Sequence, residues 1–303
     1  MAPAQSALSW VCVGSGAIGL LASARLQLAG YNITLWLKQP TQINLKFTDS
    51  KQQSQHLLLL PQPRTAAISR LLVPVKAHQV IQAVTELLPY LADNAQLVLS
   101  HNGIIALEPL IQQLQPKQGL WFLSTSQAAY KPAPHSLVHS GAGSSFLAKL
   151  THADNSDNEQ DVITTMSAAL GPLTLVNDIY PLLWQKLAVN VAVNPLSALE
   201  NCQNGQLAAA RYRRQITTLV TEVCKVATAL GYPMTATTTI DRVYQVIAAT
   251  ALNYSSMQQD VQARRQTEIN AICGYVCQQA AQLQLATPAN QQMLHAIQAL
   301  PHY

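Results

Sequence analysis

The sequence predicts an α/β protein in which an N-terminal domain with a mainly parallel sheet is followed by an all-α C-terminal domain. Two observations carry this prediction. Up to residue 176, short β-rich runs alternate with helical runs, which is typical of a parallel sheet with crossover helices. From residue 179 on, strand signals disappear. We therefore expect two domains, residues 1–178 and 179–303, since domains usually contain about 100–200 residues.

A glycine-rich turn lies in the first strand–helix–strand unit. Residues 9–13 are β-rich, residues 14–19 follow at once, and a helix and a second strand are expected at 20–28 and 33–37. In this context a GxGxxG pattern predicts a Rossmann-type dinucleotide-binding domain, although a glycine turn without a ligand is the alternative. The first glycine permits a tight turn, the second lets the backbone approach a pyrophosphate, and the third allows close helix–strand packing. The candidate cofactor-binding residues are Gly14, Ser15, Gly16, Ala17, Ile18 and Gly19.

The second strand ends in a cation. A site for NAD usually carries an acid here for the ribose 2′-hydroxyl, but the sequence reads Trp36-Leu37-Lys38-Gln39. Lys38 favours a 2′-phosphate, so we expect the cofactor to be NADP(H). An ordinary solvated lysine is the alternative.

Two further strands end in polar residues. The strand expected at 71–75 leads to Lys76, and that at 96–100 leads to His101, Asn102 and Gly103. Ligands of open α/β sheets bind outside the carboxyl ends of strands, so Lys76 and Asn102 are candidate cofactor or substrate contacts. His101 is given no role.

Several other elements are expected in the N-terminal half. Residues 57–60 predict a buried strand, and residues 120–126 predict another strand. The alternation around Gly141 and Gly143 predicts a hairpin over 135–150. The polar run 151–161 predicts a surface loop.

One helix of the C-terminal half carries a polar stripe. Lys186, Asn190 and Asn194 are spaced four residues apart in an apolar run, so they lie on nearly the same face of a helix. An ammonium in apolar company requires a partner or a substrate. The alternative is a partly exposed amphipathic helix. We expect the helices to be separated at Pro195, Gly205, residues 231–233 and Pro288.

The region 253–268 supplies further polar candidates. Ser256 followed by Gln259 has the form of a capping box, so a helix is expected to start there. Asn253 would lie in the preceding junction. Glu268 stands among apolar neighbours in the sequence. The alternative to a role in a site is an i, i+4 ion pair with Arg264 on a helix.

Composition excludes several classes of protein. The 303 residues are 49% hydrophobic and 11% charged, with a net charge of +4 and no long basic run, so no nucleic-acid partner is implied. No uninterrupted apolar segment of about 20 residues predicts a membrane span. The apolar residues 7–24 lack the basic start of a signal peptide. The five cysteines form no CxxC pair, so we expect buried free thiols, no metal site and a cytoplasmic protein.

Taken together, these motifs resemble the ketopantoate reductase (2-dehydropantoate 2-reductase) family over essentially the whole chain. The glycine loop is shared with many enzymes. The more specific matches are Val75-Lys76-Ala77, His101-Asn102-Gly103, the segment 184–190 with Asn194-Pro195-Leu196, the segment 253–257 with Asp260, and Thr267-Glu268-Ile269.

The resemblance implies NADPH-dependent reduction of 2-dehydropantoate to (R)-pantoate, in the pathway to pantothenate, with the active site in the cleft between two domains. It implies that Lys186 and Glu268 are catalytic. It further implies substrate-binding roles for Asn190, Asn194, Asn253, Ser256 and Asn102, and a cofactor-lining role for Lys76 and Asn102. Lys38 departs from the family pattern, which has Arg, and residues 124–129 differ from its Thr-rich strand end.

Two other functions remain open at this point. One is another two-domain 2- or 3-hydroxyacid dehydrogenase, and the other is a non-catalytic NADP(H)-binding sensor. The expected partner is a small 2-oxoacid, and the expected assembly is a monomer or a homodimer.

Overall fold

The computed structural model describes residues 8–151 and 156–300, and these form two compact units. The first contains residues up to His101 and Ala106–Ile179, and the second contains Asn102–Ile105 and the chain from Tyr180 on. The boundary between the units is therefore not a single position in the sequence, because residues 102–105 follow a strand of the first unit but belong to the second unit.

The first unit is built on one 11-stranded sheet. Its strands are β1 (Ser9–Val13), β2 (Asn32–Trp36), β3 (Ile43–Thr48), β4 (Ser54–Pro61), β5 (Ile68–Val73), β6 (Leu91–Leu99), β7 (Gly119–Thr125), β8 (Ala128–Tyr130), β9 (Ser136–Gly141), β10 (Ser145–Lys149) and β11 (Leu173–Leu175). Its helices are α1 (Ala17–Leu28), α2 (Val80–Leu87), α3 (Glu108–Ile111) and α4 (Ser156–Leu170). The core includes Trp10, Leu21, Leu35, Trp121 and Met166.

The centre of the sheet has the strand order of a dinucleotide-binding fold. Strands run β7-β6-β5-β1-β2-β4, and each neighbouring pair among them is parallel. The chain order reverses at β1, which lies between β2 and β5. Ligands of such sheets bind at the carboxyl ends of the strands where the order reverses. The predicted α/β class and Rossmann-type domain are confirmed.

Two expectations for the strands of this unit are wrong. The predicted hairpin over 135–150 does not form, because β9 pairs with β3 and β8 whereas β10 pairs with β7 and β11. The turn between β9 and β10 is tied instead to the end of β7, where the Ser126 amide donates to the Ser144 carbonyl at 2.9 Å. The strand at 57–60 exists but is not fully buried: Leu57 and Leu59 are covered, whereas Leu58 and Leu60 are about half exposed.

The polar run 151–161 is only partly a loop. Residues 152–155 lie outside the described residues, so that part of the prediction stays a prediction. Helix α4 already begins at Ser156, which makes the expected loop wrong for residues 156–161.

The second unit is helical. Its helices are α5 (Tyr180–Leu199), α6 (Ala210–Ala229), α7 (Ala236–Ala249), α8 (Ser256–Gln262), α9 (Cys273–Gln282) and α10 (Pro288–Gln298). The expected break at Pro195 is wrong, because α5 continues through it. Proline removes a helical hydrogen bond, but residues 191–198 are all buried, and the packing of this segment offsets that loss.

In the described ranges, 8–151 and 156–300, no helix is both long and apolar enough to cross a membrane. All five cysteines are free; four are buried as expected, and Cys277 is partly exposed.

Candidate active site

The glycine loop lies at the point where the strand order reverses. Gly14 has a φ of +79°, which favours glycine, and its amide donates to the Trp36 carbonyl at 2.9 Å. Helix α1 begins at Ala17, with Gly16 as its N-cap and no acid in its first turn. The first amides of α1 and the positive end of its dipole can therefore hold an anionic group.

The other two glycines of the loop meet different surroundings. A Cβ on Gly19 would lie 2.8 Å from Pro74 Cγ and 3.1 Å from Cys12 Sγ, so this position needs glycine for packing. A Cβ on Gly16 would meet only ordinary contact, 3.7 Å from the Pro74 carbonyl oxygen. The protein itself does not require glycine at position 16. The absence of a side chain there leaves room for a pyrophosphate, and the predicted close approach of that group stays a prediction.

The two predicted lysines of the first unit lie at strand ends on either side of β1. Lys38 is exposed and follows β2 by two residues. Lys76 is half-buried and follows β5, directly after the Pro74-Val75 segment that borders the glycine loop. Both positions suit contacts to a dinucleotide, and both cofactor roles stay predictions.

Two cations near the loop were missed by sequence reasoning. Lys131 Nζ donates to the Ser15 carbonyl at 3.2 Å, and the Arg64 guanidinium lies 3.5 Å from the centre of the Trp36 ring. Both residues come from connections far along the chain. Only the order of the strands brings them to the loop, and the sequence carries no local signal for that.

In the second unit, the stripe on α5 forms as predicted. Lys186 and Asn190 are half-buried, and Asn194 is buried. Burial lowers the pKa of the Lys186 ammonium, and the negative charge of Glu268 opposes that shift. Lys186 and Asn190 are partly exposed, as the alternative of a partly exposed amphipathic helix expects. That alternative gives no reason for an acid near the lysine, so the negative charge of Glu268 favours a functional site.

Glu268 is held by Asn102. The Asn102 side-chain Nδ2 donates to one carboxylate oxygen at 3.0 Å, and the Asn102 backbone amide donates to the other at 3.3 Å. The carboxylate is buried, with 8% exposure of the residue. The helical pair with Arg264 does not form, because α8 ends at Gln262 and Arg264 has a φ of +53°.

The segment that carries Asn102 is fixed against the chain after Glu268. The Ile104 amide donates to the Ala271 carbonyl at 2.9 Å. Gly103 has a φ of +73°, and a Cβ there would lie 2.2 Å from that same carbonyl oxygen. Gly103 is therefore required for the close approach that brings Asn102 to Glu268.

The cap of α8 differs from the prediction. Ser255, not Ser256, is the N-cap, and its hydroxyl accepts from the Gln258 amide at 3.1 Å. The Ser255 hydroxyl also accepts from Ser197 on α5 at 2.7 Å, which ties the two helices together. The sequence was ambiguous because each serine is followed by glutamine three residues later. Ser256 is exposed in the first position of the helix.

Asn253 lies in the junction between α7 and α8, as expected. Its backbone is held on both sides, since its amide donates to Thr250 at 2.9 Å and its carbonyl accepts from Asn204 at 2.9 Å. Its side chain is exposed. The structure thus joins Lys186, Glu268 and Asn102 by charge and hydrogen bonds, and places Asn253 and Ser256 on the surface of the same unit.

Two protein-family models match this chain. Residues 10–152 match the family model described as "Ketopantoate reductase PanE/ApbA", and residues 178–301 match "Ketopantoate reductase PanE/ApbA C terminal". The chain belongs to the ketopantoate reductase family.

Curated relatives of the family align over almost the whole chain. A 2-dehydropantoate 2-reductase from Vibrio cholerae is 38% identical over 296 residues, covering 96% of this chain and 97% of the relative. A protein of the same name from Yersinia pestis is 31% identical, covering 94% and 92%.

Solved structures share the fold. A 2-dehydropantoate 2-reductase from Geobacter metallireducens has a TM-score of 0.85 at 22% identity, covering 96% of this chain and 99% of its own. A D-mandelate dehydrogenase with NADH and anilino(oxo)acetate has the same score at 19% identity, covering 96% and 98%. Other hydroxyacid dehydrogenases can therefore adopt this architecture.

Proposed function

We propose that this protein reduces 2-dehydropantoate (ketopantoate) to (R)-pantoate with NADPH. The observation that carries the proposal is the desolvated Lys186, coupled to a Glu268 carboxylate that Asn102 holds in place. The relatives from Vibrio cholerae and Yersinia pestis, which are named for this reaction, support it.

Lys186 is the proposed proton donor. NADPH, when bound, would supply the hydride for the ketone carbon, and negative charge would then develop on the carbonyl oxygen. The Lys186 ammonium hydrogen-bonds that oxygen and transfers one proton to it, which gives the product hydroxyl and a neutral amine. Such general acid catalysis contributes about 10²–10⁴-fold to a rate.

The neighbouring polar residues are proposed to orient the substrate. Asn190 and Asn194 can bind hydroxyl and carbonyl groups without neutralising the lysine, because amides carry no charge. Asn253 and Ser256 offer exposed polar groups to the substrate carboxylate. Glu268 accepts a hydrogen bond from the substrate hydroxyl and favours the protonated form of Lys186.

The first unit is proposed to hold NADPH. The residues of the glycine loop fit the pyrophosphate, Lys38 pairs with the 2′-phosphate, and Lys76 lines the cofactor. Asn102, which belongs to the second unit, is proposed separately as a contact to cofactor or substrate. The predicted monomer or homodimer and the predicted cytoplasmic location stay predictions; one structural neighbour, from Staphylococcus aureus, is described as a dimeric ketopantoate reductase.

The proposed acid predicts a pH dependence. Reduction needs protonated Lys186, so kcat/KM should fall as pH rises through the pKa of this group. Because burial lowers that pKa, the fall should begin at a lower pH than for an ordinary lysine. Initial rates of NADPH oxidation with ketopantoate, measured from neutral to alkaline pH, check this. A rate that stays constant up to the range of an ordinary lysine would contradict it.

The Gly16→Ala substitution should separate cofactor binding from folding. The backbone at Gly16 (φ −67°, ψ 163°) accepts alanine, and its Cβ meets only ordinary contact, so the melting temperature should not change. The methyl group should push the pyrophosphate away from the helix amides. We expect about 10- to 100-fold weaker NADPH binding by calorimetry, since hydrogen bonds to charged groups contribute about 1.5–3 kcal/mol.

Gly19→Ala is the matched control for this substitution. Its Cβ would overlap Pro74, so it should cost about 1–3 kcal/mol of stability. If Gly16→Ala binds NADPH as tightly as the wild type, the loop does not hold the pyrophosphate.

Turnover tests the proposed function itself. NADPH should be consumed when ketopantoate is added, and (R)-pantoate should appear in equal amount. The same assay with NADH measures the cofactor preference. A non-catalytic sensor would bind NADPH and show no oxidation with any 2-oxoacid, which is the result that would reject the proposal.

A further inference from the structure

Arg64 lies at the carboxyl end of β2. Its guanidinium carbon is 3.5 Å from the centre of the Trp36 ring, and one terminal nitrogen donates to the Leu37 carbonyl at 2.6 Å. Trp36 packs in turn against Tyr90, with ring centres 4.9 Å apart. The half-buried Arg64 side chain is therefore held in one position by the Trp36 stack and the hydrogen bond to Leu37.

In a Rossmann-type domain, the carboxyl end of β2 is where the protein contacts the ribose of a bound dinucleotide. Trp36 is the last residue of β2, and its carbonyl accepts from the amide of Gly14 in the glycine loop. In Rossmann-type domains the group that follows the second strand distinguishes a ribose 2′-hydroxyl from a 2′-phosphate. Arg64 reaches this point from the connection between β4 and β5, two residues beyond the buried Gln62.

The Arg64 guanidinium has further N–H donors that can bind an anion. A guanidinium has five N–H donors, and within residues 8–151 and 156–300 the acceptor of its side chain is the Leu37 carbonyl. No carboxylate of this part of the chain forms an ion pair with it. Its remaining donors form a planar fork, which matches phosphate oxygens better than the point charge of a lysine.

We infer that Arg64 is a cofactor-specificity residue which, together with Lys38, binds the 2′-phosphate of NADPH. Lys38 is exposed and supplies a mobile charge, whereas Arg64 supplies a fixed, bidentate donor. The arginine that stabilises the 2′-phosphate is therefore contributed by a different connection from the one that carries Lys38. This inference rests on the proposed use of NADPH.

Binding of nucleotide fragments tests the inference without turnover. Calorimetry should compare 2′,5′-ADP, which carries the 2′-phosphate, with 5′-AMP, which does not. For Arg64→Gln we expect about tenfold or greater loss of 2′,5′-ADP affinity with 5′-AMP affinity changed by less than about twofold, because the lost bonds go to one phosphate. Arg64→Lys should lie between this variant and the wild type, since it keeps the charge but loses the fork.

Lys51→Gln is the matched control. Lys51 is an exposed cation in the turn between β3 and β4 of the same unit, so this variant removes one charge without touching β2. It should leave the preference for 2′,5′-ADP unchanged. Thermal unfolding of each variant shows whether it remains folded.

Each outcome decides the inference. An unchanged preference in folded Arg64→Gln overturns it, and so does an equal loss for both nucleotides, which would mean that Arg64 only supports the Trp36 stack. A failure of the proposed function can be distinguished from a failure of this inference. In that case the wild type would not reduce ketopantoate, whatever its affinities for 2′,5′-ADP and 5′-AMP. If the wild type reduces ketopantoate but binds both fragments equally, the 2′-phosphate site fails while the reductase activity stands.

Discussion

Lys186→Ala is expected to lower kcat for ketopantoate reduction by about 10²–10⁴-fold while NADPH affinity stays within about twofold of the wild type. The substitution removes the proton donor, and Lys186 lies on α5 of the helical unit, whereas the glycine loop belongs to the other unit. Steady-state kinetics and NADPH calorimetry on the same preparation measure the two effects separately.

Lys225→Ala is the matched control for this variant. Lys225 lies on α6 of the same unit and is exposed, so its loss should change neither kcat nor NADPH affinity. A kcat of Lys186→Ala within a few fold of the wild type would show that another group donates the proton.

Gly103→Ala is expected to damage stability and activity together. The new Cβ would lie 2.2 Å from the Ala271 carbonyl oxygen, and the φ of +73° is strained for alanine. Strain at a left-handed position costs about 1–3 kcal/mol and overpacking about 1–3 kcal/mol, so the free energy of unfolding should fall by about 2–6 kcal/mol. Relief of the overlap must shift Asn102 away from Glu268, so kcat/KM should fall as well.

Gly231→Ala isolates the backbone strain from the overlap. Gly231 has a φ of +89°, but a Cβ there would meet no atom within 4 Å. This variant should lose only about 1–2 kcal/mol and keep full activity. Equal losses of stability in the two variants, with activity retained in Gly103→Ala, would show that the contact with Ala271 does not position Asn102. Chemical denaturation and kinetics on both proteins give the comparison.

Local patterns predicted the elements that carry the site. The glycine loop follows from its place between a strand and a helix, and the Lys186 stripe follows from four-residue spacing. Both depend on residues that are close in sequence, where backbone geometry dictates which side chains share a face.

The failures of prediction concern tertiary context. The bond between Asn102 and Glu268 joins residues 166 apart in sequence, and no spacing rule reveals it. Pro195 remains inside α5 because its surroundings are buried, and the cap of α8 is Ser255 because Ser197 of α5 lies against it. The pairing of β9 and β10 with different strands likewise depends on the order of the whole sheet.

The most direct test of the account compares ketopantoate with trimethylpyruvate, which is the same branched 2-oxoacid without the terminal hydroxyl group. In the proposed site, Glu268 and the neighbouring side-chain amides bind that hydroxyl. The kcat/KM of NADPH-dependent reduction should therefore be higher for ketopantoate by about 10- to 100-fold, since a hydrogen bond to a charged group contributes about 1.5–3 kcal/mol. Equal or faster reduction of trimethylpyruvate, or no reduction of ketopantoate, would contradict the account and indicate a different hydroxyacid dehydrogenase.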